Sequence, residues 1–286
     1  MAEISASQVM KLRKMSGQGM MDCKKALKEA DGDLDKALEE LRKKGLKTMA
    51  KRAGRETSEG IVLTQASDDG KTVAMGTLCC ETDFVAKSED FKSLAEKMSS
   101  VLLTVDGVEG AETIVESEVD GKKFSELITE CVSKTGEKTE VVDFIRISLE
   151  KPGTIGTYTH FNNKIGAMVV VETSNDETAK AVEDVARDAA MHVSAINPVA
   201  VDRDSIDAET IERERAAAAE EVQNKPANII DKIVDGKMNK FFKENCLVDQ
   251  PFVKDDSKTV SEAVSEAAKA AGGEAKITRF IRFEIG

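Results

Sequence analysis

Apolar residues return every three or four positions through the first 54 residues of this chain, and after that they gather into short continuous runs separated by polar turns. The first pattern predicts helices. Ser5 or Ser7 can cap a first helix holding Val9, Leu12 and Met15, and Gly17 and Gly19 end it. Cys23, Ala26, Leu27 and Ala30 form the inward stripe of a second helix that starts near Asp22. Asp31-Gly32-Asp33 is a turn, and Asp33 suits the N-cap of a short third helix. Its Leu34, Ala37, Leu38 and Leu41 fall at i, i+3, i+4 and i+7, a core-facing stripe. The segment 46–55 follows with Lys47, Lys51, Arg52 and Arg55; it reads either as a solvated linker helix or as an arm for an acidic or phosphate-rich surface.

Beyond the front, one theme occurs twice. The first copy runs from Gly60-Ile61-Val62-Leu63 through a turn at Asp68-Asp69-Gly70 into the apolar run Val73-Ala74-Met75-Gly76-Thr77-Leu78-Cys79-Cys80. Helical spacing follows in Phe91, Leu94, Ala95, Met98 and Leu102. The second copy runs from Gly153-Thr154-Ile155-Gly156 through Asn162-Asn163-Lys164 into Ile165-Gly166-Ala167-Met168-Val169-Val170-Val171, then a helix with Ala181, Val182, Val185, Ala189 and His192. Closing strands also match: Val142-Asp143-Phe144-Ile145-Arg146 against Thr278-Arg279-Phe280-Ile281-Arg282. Each copy is therefore a hairpin, helical material and a third strand, predicting an α+β fold with two three-stranded antiparallel sheets backed by helices.

The second copy is interrupted. A charged stretch with Ile211, Arg215, Ala218, Ala219 and Val222 meets a break at Asn224-Lys225-Pro226, and Ile229, Ile230, Ile233 and Val234 follow. Two helices folded back at that break, with few large apolar residues between them, predict a protruding antiparallel coiled coil. The three front helices resemble a ubiquitin-associated-type bundle. The expected organisation is a helical domain and linker at 1–54, a first core subdomain at 55–149, a second at 150–197 plus 243–286, and a coiled-coil insertion at 198–242.

Composition narrows the function. With 286 residues, two or three modules are natural, and 41% hydrophobic residues suffice for real cores. A net charge of −12 disfavours nucleic acid as the primary partner. Five cysteines with no CxxC fit reduced thiols rather than disulfides or zinc. The polar start lacks the features of a signal peptide, and no apolar run reaches about 18 residues, so a cytoplasmic protein without membrane contact is expected. Two histidines, no P-loop and no Rossmann fingerprint leave catalytic residues, metal and cofactor unsupported.

One stretch departs from the repeat. Where the first copy's second strand ends, the chain reads Thr82-Asp83-Phe84-Val85-Ala86; the matching place in the second copy is the polar turn Thr173-Ser174-Asn175-Asp176. A chain with 4% aromatics thus spends Phe84 where its own repeat needs none. Two readings stay open. Phe84 folds down as a core plug while Asp83 caps the next helix, or Phe84 stands out beside a carboxylate as an anchor for a partner pocket. His160 reads as a surface residue and His192 as a packed one. Met20 and Met21 are core or an adaptable contact patch. One of Cys79 and Cys80 should point inward.

Four ordered motifs carry a resemblance: Gly19-Met20-Met21-Asp22-Cys23-Lys24-Lys25-Ala26-Leu27, Thr82-Asp83-Phe84-Val85-Ala86-Lys87, Gln250-Pro251-Phe252-Val253 and Phe280-Ile281-Arg282-Phe283. In order and spacing the chain resembles the bacterial elongation factor Ts family over nearly its whole length. The resemblance implies a guanine-nucleotide exchange factor for elongation factor Tu, GDP-bound or nucleotide-free, that makes and breaks no bond. It implies that Thr82, Asp83, Phe84 and Val85 meet the partner's GTPase domain. There Phe84 wedges between helices and disturbs the Mg²⁺ and phosphate site. It further implies contacts from Met20, Met21, Lys24, Gly136 and His160. Some members continue into a C-terminal helical module that embraces the partner, and this sequence stops at Gly286 before one. The stretch 104–118 matches no pattern. The coiled-coil arm can form a homodimer, dock on the partner or stand free. An adaptor or scaffold without exchange activity is the alternative.

Overall fold

The computed structural model describes residues 4–223 and 226–286. At the front, α1 (Ala6–Ser16) opens with a capping box between Ser5 and Gln8 and closes at Gly17. Helix α2 (Met20–Glu29) starts directly after Gly19. Helix α3 (Leu34–Arg52) starts after Asp33, whose carboxylate accepts the N–H groups of Asp35 and Lys36. Val9, Leu12, Cys23, Ala26, Leu27, Ala37 and Leu41 close one small core between the three.

Next come β1 (Glu59–Ala66), β2 (Thr72–Cys80), α4 (Asp83–Ala86), α5 (Glu89–Val101) and α6 (Ala111–Val115). The miniature pair β3 (Glu118–Val119) and β4 (Lys122–Lys123) leads to α7 (Phe124–Thr135) and β5 (Thr139–Ser148). The second half holds β6 (Gly153–Thr159), β7 (Ile165–Thr173), α8 (Asp176–Ala181), α9 (Glu183–Ile196), α10 (Ala208–Glu220) and α11 (Ala227–Asn245). It ends with β8 (Pro251–Phe252), β9 (Asp255–Thr259), α12 (Val260–Ala270) and β10 (Ala275–Glu284).

The α+β class holds. Both copies form a three-stranded antiparallel sheet, ordered β1-β2-β5 and β6-β7-β10, and each closing strand pairs with the second strand of its own hairpin. The outer face of the first sheet (Ala74, Leu78, Phe144) is covered by Phe91, Leu94 and Met98 of α5 and by Phe124, Ile128 and Val132 of α7. On the second sheet Ala167, Val169 and Val171 lie under Val182, Ala186, Ala189 and Val193, with α12 completing the layer.

The inner faces meet each other, which the repeat did not reveal. Val62, Val73, Met75 and Ile145 of the first sheet pack on Ile155, Met168, Val170 and Ile285 around the second. The strands β2 and β7 are thus covered on both faces, the physical reason their sequences are continuous apolar runs rather than alternating ones. Cys79 and Cys80 are consequently both buried, one on each face, instead of one pointing inward. Burial pushes both thiols up to about 12, so they stay protonated at neutral pH. Gly166 lies in this seam, where a Cβ would come within 2.6 Å of Val62 Cγ1 and 2.8 Å of Met75 Sδ.

Several expectations need correction. The third front helix is long, not short: it runs 19 residues, and the basic stretch from Leu46 forms its last turns rather than a separate linker or free arm. The stretch 104–118 is no loose loop. Gly110 N–H donates to Phe144 O, Arg146 N–H to Val108 O, and the Arg146 guanidinium holds the carbonyls of Leu103 and Val105. It also buries Val105 and Ile114 in the first core, with Ala111 and Val115 at its margin; this apolar spacing was illegible because it extends over a helix of only five residues. Helices α10 and α11 pack through Ala218, Val234 and Met238 with Ile211, Val222 and Ile230. The expected break at Asn224-Lys225 lies outside the described residues. Because α11 runs unbroken to Asn245, a boundary at 242/243 would fall inside it.

His192 is fully buried, as its apolar helix face suggested. Val253 N–H donates to its Nδ1 at 3.2 Å, so Nε2 carries the proton and donates to Gln250 Oε1 at 2.8 Å. Burial lowers the imidazole pKa, and the Gln250 contact only partly opposes this. The ring is neutral in the fold, whereas the unfolded chain takes up a proton near its ordinary value of 6.5. Stability from this group is therefore present above that value and is lost as pH falls through it toward the lower folded value. The difference in urea midpoint between wild type and His192→Gln should narrow between about pH 7.5 and about pH 5. Gly166→Val should cost about 1–3 kcal/mol in urea unfolding at neutral pH, because β-branched bulk in the seam must displace Val62.

Candidate functional site

After Cys80 the chain leaves β2 and within two residues turns into α4, a single helical turn. Thr82 caps it: its Oγ1 accepts Val85 N–H at 3.4 Å, while its own N–H and hydroxyl donate to the Glu137 carboxylate at 3.0–3.1 Å. The far end is closed by Ser88, whose hydroxyl donates to Val85 O at 2.7 Å and whose Oγ caps α5. Two caps, each of a kind that contributes about 1 kcal/mol, hold four residues that could not be helical alone.

This frame decides where each side chain goes. Val85 turns down into the first core and Ala86 packs at its margin. Phe84 points the other way and is 83% exposed. The core-plug reading of Phe84 is thereby corrected: Val85 is the plug, and helical spacing sends its neighbour outward. Nor does Asp83 cap the helix. It is the first residue of α4, and its carboxylate pairs with Lys87 Nζ at 2.7 Å, which holds its pKa below the ordinary carboxylate range. Leaving a phenylalanine in water forgoes about 1.5–3 kcal/mol that burial would supply.

A second set of contacts anchors the base of the tip. Both carboxylate oxygens of Glu81 lie 2.7 Å from Arg52 Nη1, and one of them also accepts the Lys138 N–H at 2.6 Å. Burial resists its charge, but the Lys138 N–H and the nearby Arg52 and Arg55 outweigh that and keep its pKa low. Through Arg52 the end of α3 is tied to the link that leads from β2 into α4 and Phe84. Gly136 ends α7 in the left-handed conformation (φ 76°), and the next residue is Glu137. So Gly136 meets the tip indirectly, by aiming the carboxylate that grips Thr82.

The structure thus gathers Thr82, Asp83, Phe84, Val85 and Gly136. His160 sits half-buried at the β6–β7 turn, which hydrogen-bonds to β1, the strand on which α4 also lies. Met20 and Met21 are exposed, 48% and 77%, and Lys24 is exposed beside them on α2, which packs on α3. Among the described residues no hydrogen bond or ion pair links α2 to α4. Sequence reading gave Glu81 and Glu137 no role and placed Arg52 in a linker or arm, whereas the structure sets all three at the base of the tip. No group of three His, Cys, Asp or Glu is placed to hold a metal, and no helix is long and apolar enough to cross a membrane, among the described residues.

Removing the grip on Thr82 should loosen the tip without unfolding the body. Glu137→Ala is expected to cost about 1–3 kcal/mol in urea unfolding and to speed amide exchange at Val85. Thr82→Val should cost less in the Glu137→Ala background than alone, since both remove one interaction.

Comparison with known proteins agrees with the motifs. The family described as Elongation factor TS matches residues 81–286. The chain is similar to elongation factor Ts of a Nitratiruptor species, 47% identical over 285 residues that cover 99% of this chain and 93% of the relative. It is 42% identical to that of Desulfovibrio desulfuricans, covering 100% of this chain and 99% of the relative. It is 41% identical to that of Clostridioides difficile, covering 100% and 94%. With a family match over most of its length and relatives that align end to end, this chain belongs to the elongation factor Ts family.

Proposed function

We propose that this chain is the guanine-nucleotide exchange factor of elongation factor Tu, and that α4 is the part that drives GDP out. The observation that carries this reading is the placement of Phe84: a bare aromatic ring on a helical turn clamped at both ends, beside a carboxylate held ionised. Such a ring is already in its working position, so little ordering is spent when it enters a partner's apolar crevice. Asp83 and Lys87 keep the tip soluble and offer polar contacts at the rim of that crevice.

The mechanism needs no bond chemistry. Mg²⁺ and the phosphate-binding loop hold much of a bound nucleotide's affinity. Phe84 wedges between helices of the partner's GTPase domain and displaces that machinery. A factor that binds the nucleotide-free partner more tightly than the GDP-bound one must weaken GDP binding by the same factor. Thr82 and Val85 serve as cap and root of the wedge. Met20, Met21 and Lys24 form a separate adaptable contact patch, Gly136 sets the tip, and His160 touches the partner from the second sheet.

The test is release of fluorescent GDP from elongation factor Tu. The wild-type chain should accelerate it, and Phe84→Ala should lower the saturating rate by about tenfold or more with an unchanged circular dichroism spectrum. Absence of acceleration by the wild type sinks the reading; a normal rate with Phe84→Ala sinks the wedge.

A further inference from the structure

Phe161, which sequence reading passed over, is 88% exposed, more than any other large hydrophobic side chain among the described residues. It sits in the β6–β7 turn, and that turn is rigid. His160 N–H donates to Ile165 O at 2.8 Å, Asn163 N–H to His160 O at 2.8 Å, and Lys164 N–H to Asn162 Oδ1 at 3.0 Å. The turn is also fastened to the other sheet. Val62 N–H donates to Asn163 O at 2.7 Å, and Lys164 Nζ pairs with Glu59 at 2.8 Å. The Phe161 ring lies 4.4 Å from the His160 ring, and the Tyr158 hydroxyl is 3.2 Å from His160 Nδ1. The result is a cluster of three mutually tilted rings with Phe161 outermost and a fixed back, whereas Phe84 stands as a single ring on its helical turn.

The ring cluster and the tip share one support. Helix α4 lies against β1, and Glu59, the first residue of β1, is the partner of Lys164 in the cluster's turn. The charge of Glu59 also contributes to the raised pKa of Lys87 at the end of α4, after the larger effect of Asp83. One strand end therefore carries both exposed phenylalanines, from two different sheets, on a single packed body. Exposed aromatics on rigid turns forgo burial within the chain and are suited to burial against a partner.

We propose that Phe161, backed by His160, is a second apolar anchor that docks the chain on the same partner that Phe84 engages. This rests on the exchange-factor reading. The division of labour follows from placement: a ring on the turn of the second sheet, away from α4, binds GDP-bound and nucleotide-free partner alike and supplies affinity, whereas the wedge supplies the difference between the two states.

The experiment is GDP release from elongation factor Tu measured against concentration of the full chain. Phe161→Ala should raise the half-saturating concentration about tenfold and leave the saturating rate unchanged. Phe161→Leu should recover much of the loss, and thermal midpoints should not move. An unchanged half-saturating concentration, a fall in saturating rate like that of Phe84→Ala, or a lowered thermal midpoint overturns the anchor while acceleration by the wild type keeps the exchange reading. Sedimentation of the free chain adds a further check: loss of self-association in Phe161→Ala would assign the ring cluster to a second copy and overturn the proposal.

Discussion

The two exposed phenylalanines share one body because of a single buried seam, the packing of two small sheets face to face through Val62, Met75, Met168 and Val170. Three strands with one wet face would make a marginal unit. Here each central strand is covered twice, by helices outside and by the sister sheet inside. The seam turns two copies of one motif into a single support, so a turn of the second sheet can be hydrogen-bonded to the first strand of the first sheet. Gly166 sets how closely the sheets approach, because bulk at that point would have to push Val62 aside.

The α4 tip is an exception made within that support. Its sister turn in the second copy begins α8 with an ordinary asparagine cap and no aromatic ring. In the first copy the same junction is shortened to one turn of helix between two caps, and a carboxylate from just before the closing strand grips the first of them. The electrostatics are arranged to keep charge on the tip. Glu81 is held ionised by a backbone N–H and Arg52 despite burial, and Asp83 by Lys87. Hydrophobic surface is thus displayed on a framework of ion pairs and backbone hydrogen bonds, which leave the ring no route back into the core.

Much of this is legible in the sequence. The hairpins, the repeated order of elements and the antiparallel sheets followed from apolar runs and turn residues. The Asp33 cap and the buried His192 followed from spacing. Other features were hidden because their causes are not periodic. The stretch 104–118 puts Ile114 into the first core through a helix of five residues and is otherwise held by Arg146 and backbone groups, so its apolar spacing is too short to read. The length of α3 was misjudged because its last turns are charged and owe their order to contacts such as Arg52 with Glu81. Phe161 was overlooked because a lone aromatic beside Asn-Asn looks like part of a turn.

By itself the sequence determined the front helices' starts, the two hairpins and their closing strands, the doubling of the core and the oddity of Phe84, since caps, turns and apolar spacing act over a few residues. Tertiary structure alone decided that Phe84 stands outward while Val85 is buried. In a one-turn helix the choice of face rests on what lies beneath, here the first core, and on Glu137, 55 residues away, closing over Thr82. It likewise decided that Phe161 shares its support with Phe84. That depends on the two sheets meeting, and neither sheet's own pattern of residues records what will cover its second face.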